Sequence, residues 1–179
     1  MGNNFIETSP WEHWATRHLP QKFGIEVAKI TDDYKTNHDE GTDAFVKNFC
    51  GKRFCRVDFK WNRMFDYKTL FFSLEKESAN GDSWTKNETA VKLGVIIVCP
   101  WKDEENGTFK LCAYRLSDLV KLIPIKEMGT PPRETIETHT KYWRLDEDYM
   151  EPYCIWESEY VSLEQERKEW EEENAKENT

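Results

Sequence analysis

The sequence has no apolar run near the ~18 residues that a membrane-spanning helix needs. Its longest, Leu93 to Cys99, has the length of a buried strand, so no membrane partner is expected. It has no C-x-x-C pair and no cysteine–histidine spacing of a zinc finger, and its five cysteines are an odd number. Reduced cysteines packed as small hydrophobes are expected rather than a disulfide framework. There is no glycine-rich phosphate loop and no G-x-S-x-G nucleophile turn. Only eight Gly and seven Pro exclude collagen-like and low-complexity designs. The opening Met-Gly-Asn-Asn lacks the charged and apolar regions of a secretion signal, so a cytoplasmic protein is expected.

What is present suits one domain with a real core. The chain has 179 residues, 38% hydrophobic and 14% aromatic, with eight Trp, enough to fold without metal or disulfide staples. The net charge is −9, which at first disfavours nucleic acid. Its distribution softens that. From Glu157 to Thr179 nine Glu face three Lys or Arg, a net of −6, leaving −3 for the rest. Between Lys47 and Lys68 seven basic residues face Asp58 and Asp66, a net of +5. That stretch is compatible either with a phosphate-facing surface or with an ordinary solvated face.

The pattern predicts an α+β fold. Ser9, Pro10 and Glu12 form a capping box for a helix whose apolar face is Trp11, Trp14, Ala15, His18 and Leu19, stopped by Pro20. Gly24 to Ile30 reads either as a strand or as a helical turn. Asp43 to Phe49 and Arg53 to Trp61 read as strands joined by a tight turn, with Leu70 to Glu75 as a third. In the second of these, Cys55, Val57, Phe59 and Trp61 point one way; Phe54, Arg56, Asp58 and Lys60 point the other. Ser83 to Ala90 reads as a short helix and Val91 to Cys99 as a central strand. Asn106-Gly107 marks a hairpin returning over Thr108 to Arg115, and Ser117 caps a helix through Ile123. Ser162 with Gln165 opens a Glu-rich C-terminal helix. Residues 1–160 are expected to form the domain, and 161–179 an acidic helical tail.

Asp58 and Lys60 lie two apart on a strand, so they share a face. If Gly51-Lys52 is the turn, Asp43 sits opposite Lys60; if Cys50-Gly51 is the turn, it sits opposite Asp58. The intermediate register sends it to the other face. Two carboxylates so close repel unless a cation sits between them. A hard, oxygen-only site with few protein ligands suits Mg²⁺ (or Mn²⁺), with the lysine free to orient or help deprotonate an attacking water. That is equipment for metal-assisted phosphodiester hydrolysis. The plainer alternative is a cross-strand ion pair on a solvated sheet face.

Gly41-Thr42-Asp43-Ala44-Phe45-Val46, fourteen residues between the aspartates, and Val57-Asp58-Phe59-Lys60 together resemble the PD-(D/E)XK nuclease superfamily. Thr42 stands where that family often has proline, and Asp58 replaces its commoner glutamate. The resemblance spans about residues 9–123. It implies a restriction-endonuclease-like core: a mixed sheet containing an antiparallel three-strand meander, flanked by helices in the order helix, meander, helix, strand. It implies that Asp43 and Asp58 bind Mg²⁺ and that Lys60 assists the attacking water. Glu12, on the first helix, and Glu75, at the end of the third strand, are candidates for a further metal ligand. Arg53, Arg56, Arg63 and Lys68 are candidates for phosphate contacts; His38 is a candidate for the rim of the site. Trp61 is read as core rather than as a base-stacking residue.

Two functions follow as expectations. One is a metal-dependent nuclease acting on DNA, with RNA also open as a substrate. The other is a nuclease-like binding or inhibitor protein of phage or mobile-element type, working through a protein partner. The acidic C-terminal helix is a possible contact for such a partner or for a second copy of the chain.

Overall fold

The computed structural model describes residues 10–61, 72–77, 84–122, 133–134, 141–145 and 147–178. Ser9, Arg63 and Lys68 lie outside the described residues. The first helix, α1 (Pro10–Lys22), buries Trp14, Ala15 and Leu19. It runs through Pro20 instead of stopping there, because a proline in the last turn forfeits one donor only and its ring is buried. The chain leaves the helix at Gly24, whose φ of +77° is left-handed.

The following segment resolves as a strand, β1 (Glu26–Ile30). With β2 (Ala44–Phe49) and β3 (Lys52–Phe59) it forms an antiparallel meander. Cys50-Gly51 is the β2–β3 turn: both residues have positive φ, +50° and +74°, as the right-handed twist of a two-residue hairpin demands. Ala44 therefore faces Val57, and Val46 faces Cys55.

The expected third strand of the meander is elsewhere. β4 (Phe72–Glu77) pairs with β8 (Lys141–Leu145), and β8 with β7 (Arg133–Glu134), in a separate three-stranded sheet. Both edges of β3 are already taken, by β2 and by β5 (Ile96–Asp103), which runs parallel to it. A β-rich composition marks 70–75 as strand but carries no information about its partner.

Between β4 and β5 a 3₁₀ turn (Trp84–Lys86) leads into a short helix, α2 (Glu88–Lys92), capped by Asn87. Val91 thus belongs to the helix; β5 starts only after Gly94, at Ile96. β6 (Thr108–Arg115) returns beside β5 through the Asn106-Gly107 turn. α3 covers only Leu116–Leu119 and begins at Arg115, not Ser117. After α4 (Glu147–Met150) come β9 (Cys154–Glu157), β10 (Val161–Ser162) and α5 (Leu163–Glu177). The result is an α+β fold: a mixed, open, seven-stranded sheet in the order β1-β2-β3-β5-β6-β10, with β9 also on β6, flanked by helices. Among the described residues no helix is long and apolar enough to cross a membrane.

Alternation along the central strands produces two cores, one on each face. On the first face α1 covers Val46, Val57, Phe59, Trp61, Val98 and Leu111. Trp61 is core, stacked on Phe59 and donating from Nε1 to Thr16 Oγ1 at 2.9 Å. On the second face Ile97, Cys99, Trp101 and Tyr114 pack with Ala90, Leu116, Leu119 and Met150. Burying each such large side chain contributes about 1.5–3 kcal/mol. All five cysteines are free thiols.

The acidic helix α5 is bound to this body. Ser162 Oγ accepts from the Gln165 amide at 3.3 Å, the expected cap. Leu163 and Trp170 pack against the first core, with Trp170 beside Trp11 and Trp14. Lys22 reaches Glu166 at 2.6 Å and also Glu169; Trp14 Nε1 donates to Glu173 at 2.8 Å. Leu163 and Trp170 of α5 are thus engaged within the chain.

Candidate active site

The second apolar layer covers β5 and β6. On β3 the same face turns polar: Asp58 is the parallel partner of Ile97, and Lys60 follows one position of alternation later. Asp43 lies at the entry to β2, one residue before Ala44, the first residue paired with β3. Its amide donates to the Val57 carbonyl at 2.8 Å; its carbonyl accepts from the Thr31 amide at 2.8 Å and from Thr31 Oγ1 at 3.0 Å. The backbone of Asp43 is thus tied on both sides, to β3 and to the end of β1. Of the two turns that the sequence leaves open, the one realised gathers Asp43, Asp58 and Lys60 on a common face.

The side chains are closely coupled. Lys60 Nζ lies 2.9 Å from Asp58 Oδ2, in a pair that is only slightly exposed. Asp43 Oδ2 accepts from the Phe59 amide at 2.8 Å. The Asp43 carboxyl is also within hydrogen-bonding reach of Asp58. Burial first, and the Asp58 charge second, push Asp43 up to about 8, against the opposing pull of Lys60 and the Phe59 amide. At neutral pH the Asp43 carboxyl is therefore largely protonated. With both ionised, one lysine leaves a net negative charge in a poorly solvated place.

Thr42, where the resembled family often has proline, is fully buried. Its amide donates to the Thr36 carbonyl at 3.0 Å and its Oγ1 to the Glu40 carbonyl at 3.2 Å. A proline could not make the first bond. Gly41 has φ +57°, and a Cβ there would come within 3.1 Å of Ala90 Cβ and 3.4 Å of Asn87 Nδ2. Glycine lets α2 close onto the segment that delivers Asp43.

Asn37 is a residue of the site that the sequence reading missed. It sits on a π-helical turn (Lys35–Asp39), and its Nδ2 donates to Asp43 Oδ1 at 2.9 Å. Its only signal in the sequence is membership of the polar run Asn37-His38-Asp39-Glu40 just before Asp43. His38 shares that turn, stacked on Tyr34 with ring centroids 4.7 Å apart, and lies 3.2 Å from Asp39.

The remaining candidates are spread out. Glu12 is exposed on α1, the helix that covers the opposite face of the sheet. Glu75 is on β4, in the other sheet, opposite Tyr142. Arg56 shares the Asp58 face but is paired with Glu40 and lies over Phe45, 5.0 Å from the ring centroid. Arg53 is exposed, near the hairpin turn, over Phe54.

The donor set fits a hard divalent cation. Among the described residues no group of three or more His, Cys, Asp or Glu is placed to hold a metal ion. A cation between Asp43 and Asp58 would therefore complete its shell with water and substrate oxygens, as Mg²⁺ does where protein ligands are few. Such an ion would offset the burial and the Asp58 charge that raise Asp43. No protein-family model, no curated protein and no solved structure matches this chain.

Proposed function

We propose that the chain is a Mg²⁺- or Mn²⁺-dependent nuclease of the PD-(D/E)XK type, hydrolysing phosphodiester bonds of DNA. The observation that carries this reading is the juxtaposition of Asp43, Asp58 and Lys60 on one sheet face, with a proton held where two carboxylates crowd. The connectivity adds support. Helix α1, the meander β1-β2-β3, helix α2 and the parallel strand β5 follow the order that the sequence resemblance implies. The meander is built from β1, not from the 70–75 segment.

When bound, the cation supplies charge neutralisation at the phosphate and acidifies water at neutral pH. Asp43 and Asp58 hold it. Lys60, two residues beyond Asp43's partner acid, orients the attacking water or offsets charge that builds on the phosphate oxygens. Arg53 and Arg56 are the described basic residues for phosphate contact, and Arg56 must exchange Glu40 for it.

The test is incubation of plasmid, single-stranded DNA and RNA with the full chain, with Mg²⁺ or with EDTA. Metal-dependent cleavage that falls at least ~100-fold in Asp58→Ala is expected. Cleavage indifferent to Asp58→Ala ends the assignment, and cleavage of RNA alone moves the substrate. A nuclease-like binding protein without turnover is the second reading. It is favoured by the lack of a third acid beside the pair among the described residues, and would show as nucleic acid left intact together with stoichiometric capture of a protein partner.

A further inference from the structure

The Asp43 carboxylate is held at both ends, by different parts of the chain. The Phe59 amide, on β3, fixes Oδ2 at 2.8 Å, and Asn37 Nδ2, from the turn before β2, fixes Oδ1 at 2.9 Å. Two fixed oxygens define the carboxylate plane. With one alone, the group could swing about that contact.

The two acids are served differently. Asp58 has an ammonium partner in Lys60. The donors that hold Asp43, the Asn37 side-chain amide and the Phe59 backbone N–H, are neutral. A neutral donor stabilises the ionised carboxylate without bringing a charge that would compete with a cation.

The turn that presents Asn37 is itself braced. The Asn37 amide donates to the Asp33 carbonyl at 3.1 Å, and the Glu40 amide to the Lys35 carbonyl at 3.0 Å, closing the wide turn. From the other side, Asn87 caps α2 by accepting from the Ala90 amide at 3.0 Å, and donates from Nδ2 to the Asp39 carbonyl at 3.0 Å. The cap of α2 thus steadies the turn, and the turn presents Asn37 to Asp43. π-helical turns recur where a side chain must be re-aimed at a functional site.

We infer that Asn37 is the positioning residue for Asp43, holding its carboxylate in the plane that meets a divalent cation shared with Asp58. This rests on the metal-dependent reading above. Outer partners of metal ligands are typically worth 10- to 100-fold in affinity.

The experiment is calorimetric titration of Mn²⁺ into the full-length protein, as wild type, Asn37→Ala and Thr36→Ala, with the melting temperature of each metal-free protein recorded. Thr36 is the neighbour of Asn37 on the same turn, and its side chain bonds to Asp33. The expected result is a 10- to 100-fold weaker Mn²⁺ affinity in Asn37→Ala, wild-type affinity in Thr36→Ala, and similar melting temperatures. Equal affinity in wild type and Asn37→Ala overturns the inference alone, as does an equal loss in Thr36→Ala, which would point to the integrity of the turn. No Mn²⁺ binding by the wild type overturns the inference together with the metal-dependent reading.

Discussion

The proton held on Asp43 should make the metal-free protein less stable as pH rises, and a divalent cation should reverse the trend. An unfolded aspartate titrates near 3.9; Asp43 in the folded chain is raised to about 8. Between those values the native state binds more protons than the unfolded state. The slope of unfolding free energy with pH is then negative, reaching about 1.4 kcal/mol per pH unit for one full proton. The stabilising share is complete below pH ~4 and is lost as pH climbs through about 8. From pH 5 to 8 a wholly buried group would forfeit about 4 kcal/mol; solvent reaches part of Asp43, which brings the expected loss to about 2 kcal/mol. Asp43→Asn removes the titration. It also removes one accepted hydrogen bond, about 1 kcal/mol at every pH, so slopes rather than absolute stabilities carry the comparison. Urea unfolding at pH 5, 6, 7 and 8 in EDTA measures both, and contributions common to the two proteins cancel. The wild type should fall by about 2 kcal/mol relative to the variant. With Mg²⁺ at ten times its dissociation constant the wild type should gain about 1.4 kcal/mol at pH 8 and little at pH 5, the variant little at either. Parallel pH profiles for wild type and variant in EDTA would refute the reasoning, because they would mean that burial and the Asp58 charge do not raise Asp43.

Other consequences can be checked more simply. Lys60→Met strips the ammonium from a mostly covered Asp58 and should cost about 2 kcal/mol in urea unfolding while abolishing cleavage; unchanged stability would show that the pair is solvated. Gly41→Ala forces a side chain onto a φ of +57° and against Ala90. It should cost about 1–2 kcal/mol and weaken Mn²⁺ binding by displacing Asp43, and a silent substitution would contradict the tight closure of α2. Glu166→Ala leaves Lys22 without its 2.6 Å partner beneath α5. It should expose the C-terminal helix to limited proteolysis ahead of the rest of the chain, and wild-type resistance would show that the remaining contacts of α5, through Leu163, Trp170, Glu169 and Glu173, hold it without Glu166.

The face on which Asp43, Asp58 and Lys60 meet was legible in the sequence because strand alternation is local. Cys55, Val57, Phe59 and Trp61 had to go inward, so Asp58 and Lys60 had to go out together. The sequence left two turns that serve Asp43 equally; Cys50-Gly51 was realised, since both residues accept positive φ there. Which strand completes the meander was not legible. The weak alternation of Glu26–Ile30 hides an edge strand whose side chains are largely exposed, whereas 70–75 has the stronger β composition and pairs elsewhere. Pro20 misled because its effect depends on how near the helix end it falls. Asn37 was invisible because a π-helical turn has no hydrophobic period, and its link to Asp43 exists only once Thr42, Gly41 and Asn87 have folded the loop back.

The most direct test is an anomalous-scattering map from crystals of the full chain soaked in Mn²⁺. The account predicts a single strong peak bonded to one carboxylate oxygen of Asp43 and one of Asp58, with the Lys60 ammonium beside it. A map with no peak there, and Lys60 still paired with Asp58, would contradict it.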